Sequence, residues 1–145
     1  MRIGELAKQS GVGVETVRFY EQKGLVAQPS RPVAGGYRDY PRFAVQRIRF
    51  IRSAQRLGFT LDEVAELLDL EAGPGARCVD VRERARIKRQ EVQAKIENLA
   101  RIEAALDNLI QACPGEGPAR NCSILEAINS GELHLRPMAH GETYD

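Results

Sequence analysis

At 145 residues, 43% hydrophobic and a net charge of +1, the chain has room for one domain or for a small head joined to a long helix, and it is too apolar for wholesale disorder. It has no run of about 18 apolar residues to span a membrane. Met1-Arg-Ile-Gly-Glu resembles neither a signal nor a transit peptide, so a cytoplasmic address is expected, where thiols stay reduced.

The near-neutral total hides an asymmetry. Residues 1–60 hold eleven Lys and Arg against four acids, as a polyanion-binding head would, although a solvated basic face gives the same count. Ile3 to Gln9 reads as a short helix with Leu6 and Ala7 inward, broken by Ser10-Gly11-Val12-Gly13. Val14 to Lys23 resumes helix, with Val14, Val17 and Phe19 as packing candidates and Gly24 as the stop. Two short helices around a glycine turn predict a helix-turn-helix whose second helix enters a DNA major groove. Its polar side would carry Glu15, Thr16, Arg18 and Tyr20; whether Arg18 reads a base or a phosphate stays open.

Next, Gly35-Gly36 signals a hairpin turn, with Tyr37-Arg38-Asp39-Tyr40 as the returning strand. Such a wing would press Arg31, Tyr37, Arg38 and Tyr40 on the phosphate backbone; the alternative is a surface loop whose tyrosines cover the core. Pro41 opens a helix to Leu57 with Val45, Ile48, Ile51 and Ala54 inward, and Gly58 ends it. Phe59-Thr60-Leu-Asp-Glu63-Val64 then spells a capping box with a hydrophobic staple, starting a helix that buries Val64, Leu67 and Leu68. Gly73-Pro74-Gly75 marks the end of the head.

From Val79 to Ala112 there is neither Pro nor Gly, and Val92, Ile96, Leu99, Ile102, Leu106, Leu109, Ile110 and Cys113 fall on one helical stripe, a coiled-coil seam. A lone helix cannot bury such a stripe, so a second copy is expected. At 1.5 Å per residue the helix is roughly 50 Å long, so Cys78 and Cys113 of one chain cannot share a small ligand. Antiparallel pairing would bring Cys78 of one chain beside Cys113 and Cys122 of the other. Beyond Cys113 comes a loop with Pro114, then Ser123-Ile-Leu-Glu126 as a second capping box that opens a short helix closed by Gly131. The expected divisions are a DNA-binding head (1–75), a dimerisation helix (76–113), a metal-binding loop and short helix (114–131), and a mobile tail (132–145). The fold class is mainly α: a winged helix-turn-helix head on an antiparallel coiled coil.

Ile3-Gly-Glu-Leu-Ala-Lys, Val17-Arg-Phe-Tyr-Glu-Gln-Lys-Gly-Leu25, Gly36-Tyr-Arg38, Tyr40 and Gln55-Arg-Leu-Gly-Phe-Thr-Leu-Asp-Glu-Val64 together resemble the MerR family of transcriptional regulators over about residues 1–130. The cysteine pattern is most similar to its mercury-responsive branch; the copper-responsive branch lacks a cysteine at position 78, and zinc, cadmium and lead sensors vary the others or add histidine. The 114–121 loop has no extra cysteine or histidine, which disfavours zinc. The resemblance implies a homodimer on double-stranded promoter DNA that represses without metal, then untwists the DNA for RNA polymerase when mercury(II) binds; cadmium, lead or zinc are the alternative effectors.

The residue chemistry agrees. Three thiolates (Cys78, Cys113, Cys122) form a soft donor set, one short of the four that zinc normally takes, and only the tail histidines His134 and His140 could add a fourth. Cys78 and Cys122, each at a helix start, should be acidified by the dipole. Cys113 could be only a buried hydrophobe, and a thiol redox sensor is the main rival for the set. A metal carrier without DNA binding would leave the basic head unexplained. There is no Ser-His-Asp set, phosphate loop, carboxylate pair or Cys-x-x-Cys, and no enzyme is expected.

Overall fold

The computed structural model describes residues 1–131 and Leu133; the expected tail, with His134 and His140, otherwise lies outside the described residues. Six α-helices follow in order: α1 (Ile3–Ser10), α2 (Val14–Gln22), α3 (Phe43–Arg56), α4 (Leu61–Ala72), α5 (Cys78–Ala112) and α6 (Ser123–Ser130), with a 3-10 turn at Ala119–Asn121. No strand occurs among the described residues, and no described helix is long and apolar enough to cross a membrane.

Met1–Lys88 form one compact unit and Arg89–Asp145 a second. In the first, α1 packs on α2 and α3, and α3 on α4. The inward positions expected from periodicity supply the centre: Leu6, Val17, Ile48, Ile51 and Val64 are fully buried. Leu67 and Leu68 pack partly against this core. Gly11 ends α1 in the left-handed region (φ 73°), a conformation that costs glycine nothing, and its amide bonds back to Ala7 and Lys8. Thr60 and Glu63 make the reciprocal bonds of the capping box on α4.

Two local expectations fail. The wing makes a turn at Gly35 and Gly36 (φ 85° and 108°) without strands. Pro29 and Pro32 supply no amide donors on the outgoing side, and the Tyr40 amide instead donates to the Met1 carbonyl at 2.7 Å. The second capping box does not form either: α6 begins one residue earlier than the motif suggests, with Cys122 at the N-cap and Ser123 inside the helix, its hydroxyl buried without a partner.

Candidate nucleic-acid interface and metal centre

Helix α2 and the wing meet around a cleft of about 300 Å³. Arg18 comes from α2, and Arg31 and Arg38 from the loop beyond it, with Gln28 and Tyr37 alongside. Arg38 is half-buried, and its Nε is buried without a hydrogen-bond partner. Tyr37 is exposed, and the Arg2 guanidinium sits 4.0 Å above its ring. Three guanidinium groups thus stand against one carboxylate, Glu21, which already accepts the Tyr40 hydroxyl. A buried N–H without a partner is costly, and a phosphate oxygen would satisfy it.

Tyr20 and Tyr40 were expected on the DNA-facing side, and the structure moves both into the core at 2% and 3% exposure. The Tyr20 hydroxyl donates to Gln55 Oε1 at 2.8 Å, and Tyr40 donates to Glu21. Burial first, then the bond to Glu21 and its charge, push the Tyr40 phenol up to about 12. The reason lies in register: positions 17 and 20, one turn apart, form the inward edge of α2, and a phenol whose oxygen finds a partner is well accommodated there. Phe19, a packing candidate, is instead exposed, with the Lys23 ammonium 5.6 Å from its ring. Thr16 is half-buried, while Arg18 and Arg31 are exposed. Glu21 and Gln28 are the cleft residues that sequence patterning missed; the only signal for Glu21 was its position one turn after Arg18.

The structure brings two of the three cysteines together. Cys113 follows the last residue of α5, Cys122 caps α6, and the Cys113 thiol donates to the Cys122 sulfur. The Cys122 thiol is held below its ordinary value, chiefly by the backbone amide of Leu125, then that of Ile124. Slight burial works in the opposite direction, and the Cys113 thiol adds to the lowering. These amides are the unsatisfied donors of a helix start. Cys78 opens α5 and is exposed. Among the described residues no three His, Cys, Asp or Glu side chains gather within a single chain. The donor chemistry fits a soft, thiophilic ion: two adjacent sulfurs, one already inclined to the thiolate form that such an ion binds.

Residues 1–71 match the MerR HTH family regulatory protein family, and residues 45–109 match the family described as MerR, DNA binding. The mercuric resistance operon regulatory protein of Pseudomonas fluorescens is 44% identical over 131 residues, covering 90% of this chain and 89% of the relative. The transcription regulator PbrR691 of Ralstonia metallidurans CH34, solved with lead(II), superposes with a TM-score of 0.77 at 36% identity, covering 88% of this chain and 98% of that one. The dual function regulator MerR of Bacillus megaterium MB1, solved with mercury(II), gives 0.67 at 38% identity over 89% and 99% of the two chains. The basic helix-turn-helix head, the long helix and this likeness along nine-tenths of the sequence have one reading: the chain belongs to the MerR family of DNA-binding transcriptional regulators.

Proposed function

We propose that this chain is a homodimeric, mercury(II)-responsive regulator that represses its promoter without metal and activates RNA polymerase there when the ion binds. The observation that carries it is the adjacent thiol pair Cys113 and Cys122, with the second acidified at a helix start. Cys78 of the partner chain would complete a three-thiolate set, and mercury(II) would supply a soft Lewis acid that ties the two chains together at that point. The 44% identity to a mercuric resistance regulator supports mercury as the effector. A second reading, lead(II), is favoured by the higher TM-score to the lead-bound regulator; cadmium and zinc rank behind both.

In this reading Arg18, Arg31 and Arg38 clamp phosphates around the cleft, Tyr37 and the partly exposed Thr16 add hydrogen bonds, and the exposed face of α2 enters the major groove. Two heads joined through α5 can act on a promoter as a unit. Distorting the duplex costs a few kcal/mol, of order 1–6 for a smooth bend, which the difference in metal affinity between two states of the dimer can supply. Transcription in vitro from the chain's own promoter, with mercury, lead, cadmium and zinc ions added in turn, tests the proposal. Mercury is expected to activate at the lowest concentration, and Cys78→Ser should keep DNA binding while losing induction. Equal response to zinc, or full induction of Cys78→Ser, overturns it.

A further inference from the structure

Along α5, Val92, Ile96, Leu99, Leu106 and Ile110 are all exposed. They are spaced alternately by four and three residues, which is the seam of a coiled coil. Two charged residues occupy positions of the same series: Glu103, between Leu99 and Leu106, and Arg89, three residues before Val92. Both are exposed, and among the described residues neither makes an ion pair within its own chain. A charge at a seam position costs stability unless its partner answers it, and such residues set register and partner choice.

We infer that Arg89 and Glu103 orient the pairing of two α5 helices, each arginine meeting the partner's Glu103, and so select a second copy of this chain running antiparallel. The inference rests on the homodimer proposed above. In an antiparallel seam each layer joins a residue of one heptad position to the partner's residue of the other. Two registers bring Cys78 of one chain within about a turn of the partner's Cys113: Ile96 faces either the partner's Leu99 or the partner's Val92. In both registers Arg89 and the partner's Glu103 fall in neighbouring layers, about 5 Å apart along the axis. The two-fold symmetry of the dimer makes this contact twice. A parallel, in-register pair would instead set Arg89 against Arg89 and Glu103 against Glu103, two like-charge clashes inside an apolar seam. The charge pattern therefore favours one orientation and disfavours the other.

The test uses two full-length variants, Arg89→Glu and Glu103→Arg. Each alone places like charges at both contacts, and its dimer dissociation constant should rise by about tenfold or more in sedimentation equilibrium. Mixed, the two should form heterodimer in clear excess over both homodimers by native mass spectrometry, because every contact is then complementary. The double variant should recover the wild-type dimer. A statistical 1:2:1 mixture, or a double variant as weak as the single ones, overturns the assignment of these residues while leaving a homodimer standing. A wild-type chain that sediments as a monomer removes the homodimer itself.

Discussion

Lys88 Nζ lies 2.8 Å from Glu63 Oε1, the same oxygen that accepts the Thr60 amide at 2.8 Å. One carboxylate thus closes the start of α4 and holds the early turns of α5 against it, with the Phe59 ring 5.6 Å from the same ammonium. A more exposed pair, Arg84 and Glu66 at 2.8 Å, spans the same two helices one turn earlier on α5. The compact unit accordingly runs to Lys88 rather than stopping at the glycines of 73–75. The DNA-binding head is seated on the first turns of the helix that would carry the dimer.

Partial burial alone would raise the Glu63 carboxyl, but the bonds from Lys88 and Thr60 outweigh it and hold the group below its ordinary value. A lowered carboxyl contributes stability that is fully present above the unfolded value and is lost as the pH falls through the folded one. Glu63→Gln should therefore cost about 1–3 kcal/mol at neutral pH, read by urea denaturation. The gap from wild type should close as the pH falls below the usual carboxylate range. A gap independent of pH would mean that the ion pair contributes nothing beyond packing.

Tyr40→Phe should cost about 1 kcal/mol by removing the bond to Glu21. Spectrophotometric titration supplies the sharper measurement: one tyrosine should ionise only near pH 12, and that step should vanish in the variant. Persistence of the step would assign it to another tyrosine.

Arg38→Ala and Tyr40→Phe should separate in DNA binding. Losing one phosphate contact flattens the dependence of log affinity on log salt by about 1. That change is expected for Arg38, whose Nε is buried without a partner at the cleft. Tyr40, committed to Glu21, should leave the slope unchanged. Fluorescence anisotropy across a salt series distinguishes them, and equal slopes for Arg38→Ala and wild type would move the phosphate site elsewhere.

The head was legible wherever the physics is local. Alternation of apolar positions located Leu6, Val17, Ile48, Ile51 and Val64, and the Thr60–Glu63 capping box formed as spelled. What failed depended on contacts distant in sequence. Tyr20 and Tyr40 carry a polar atom and an apolar ring, and only the tertiary partners Gln55 and Glu21 decide which end governs their placement. The wing kept its turn but lost its strand, because the Tyr40 amide pairs with Met1, thirty-nine residues away. At α6 two candidate caps were adjacent, and the helix starts from Cys122 rather than Ser123. That one-residue difference changes the chemistry, since it aims two helix amides at a sulfur instead of a hydroxyl.

Cys122 should accordingly alkylate faster than an ordinary cysteine at mildly acidic to neutral pH, because its lowered value keeps more of the reactive thiolate. Mass spectrometry of iodoacetamide-treated protein across a pH series would follow each of the three thiols separately. Cys113→Ala should shift the Cys122 profile upward only in part, since the amides of Leu125 and Ile124 contribute more than the neighbouring thiol and remain in place. The same asymmetry bears on metal uptake. A thiol that is already partly ionised releases less than one proton on binding, so mercury affinity at neutral pH should climb less steeply than three unperturbed thiols require. A Cys122 profile indistinguishable from that of a free cysteine would remove the helix start as the source of its acidity.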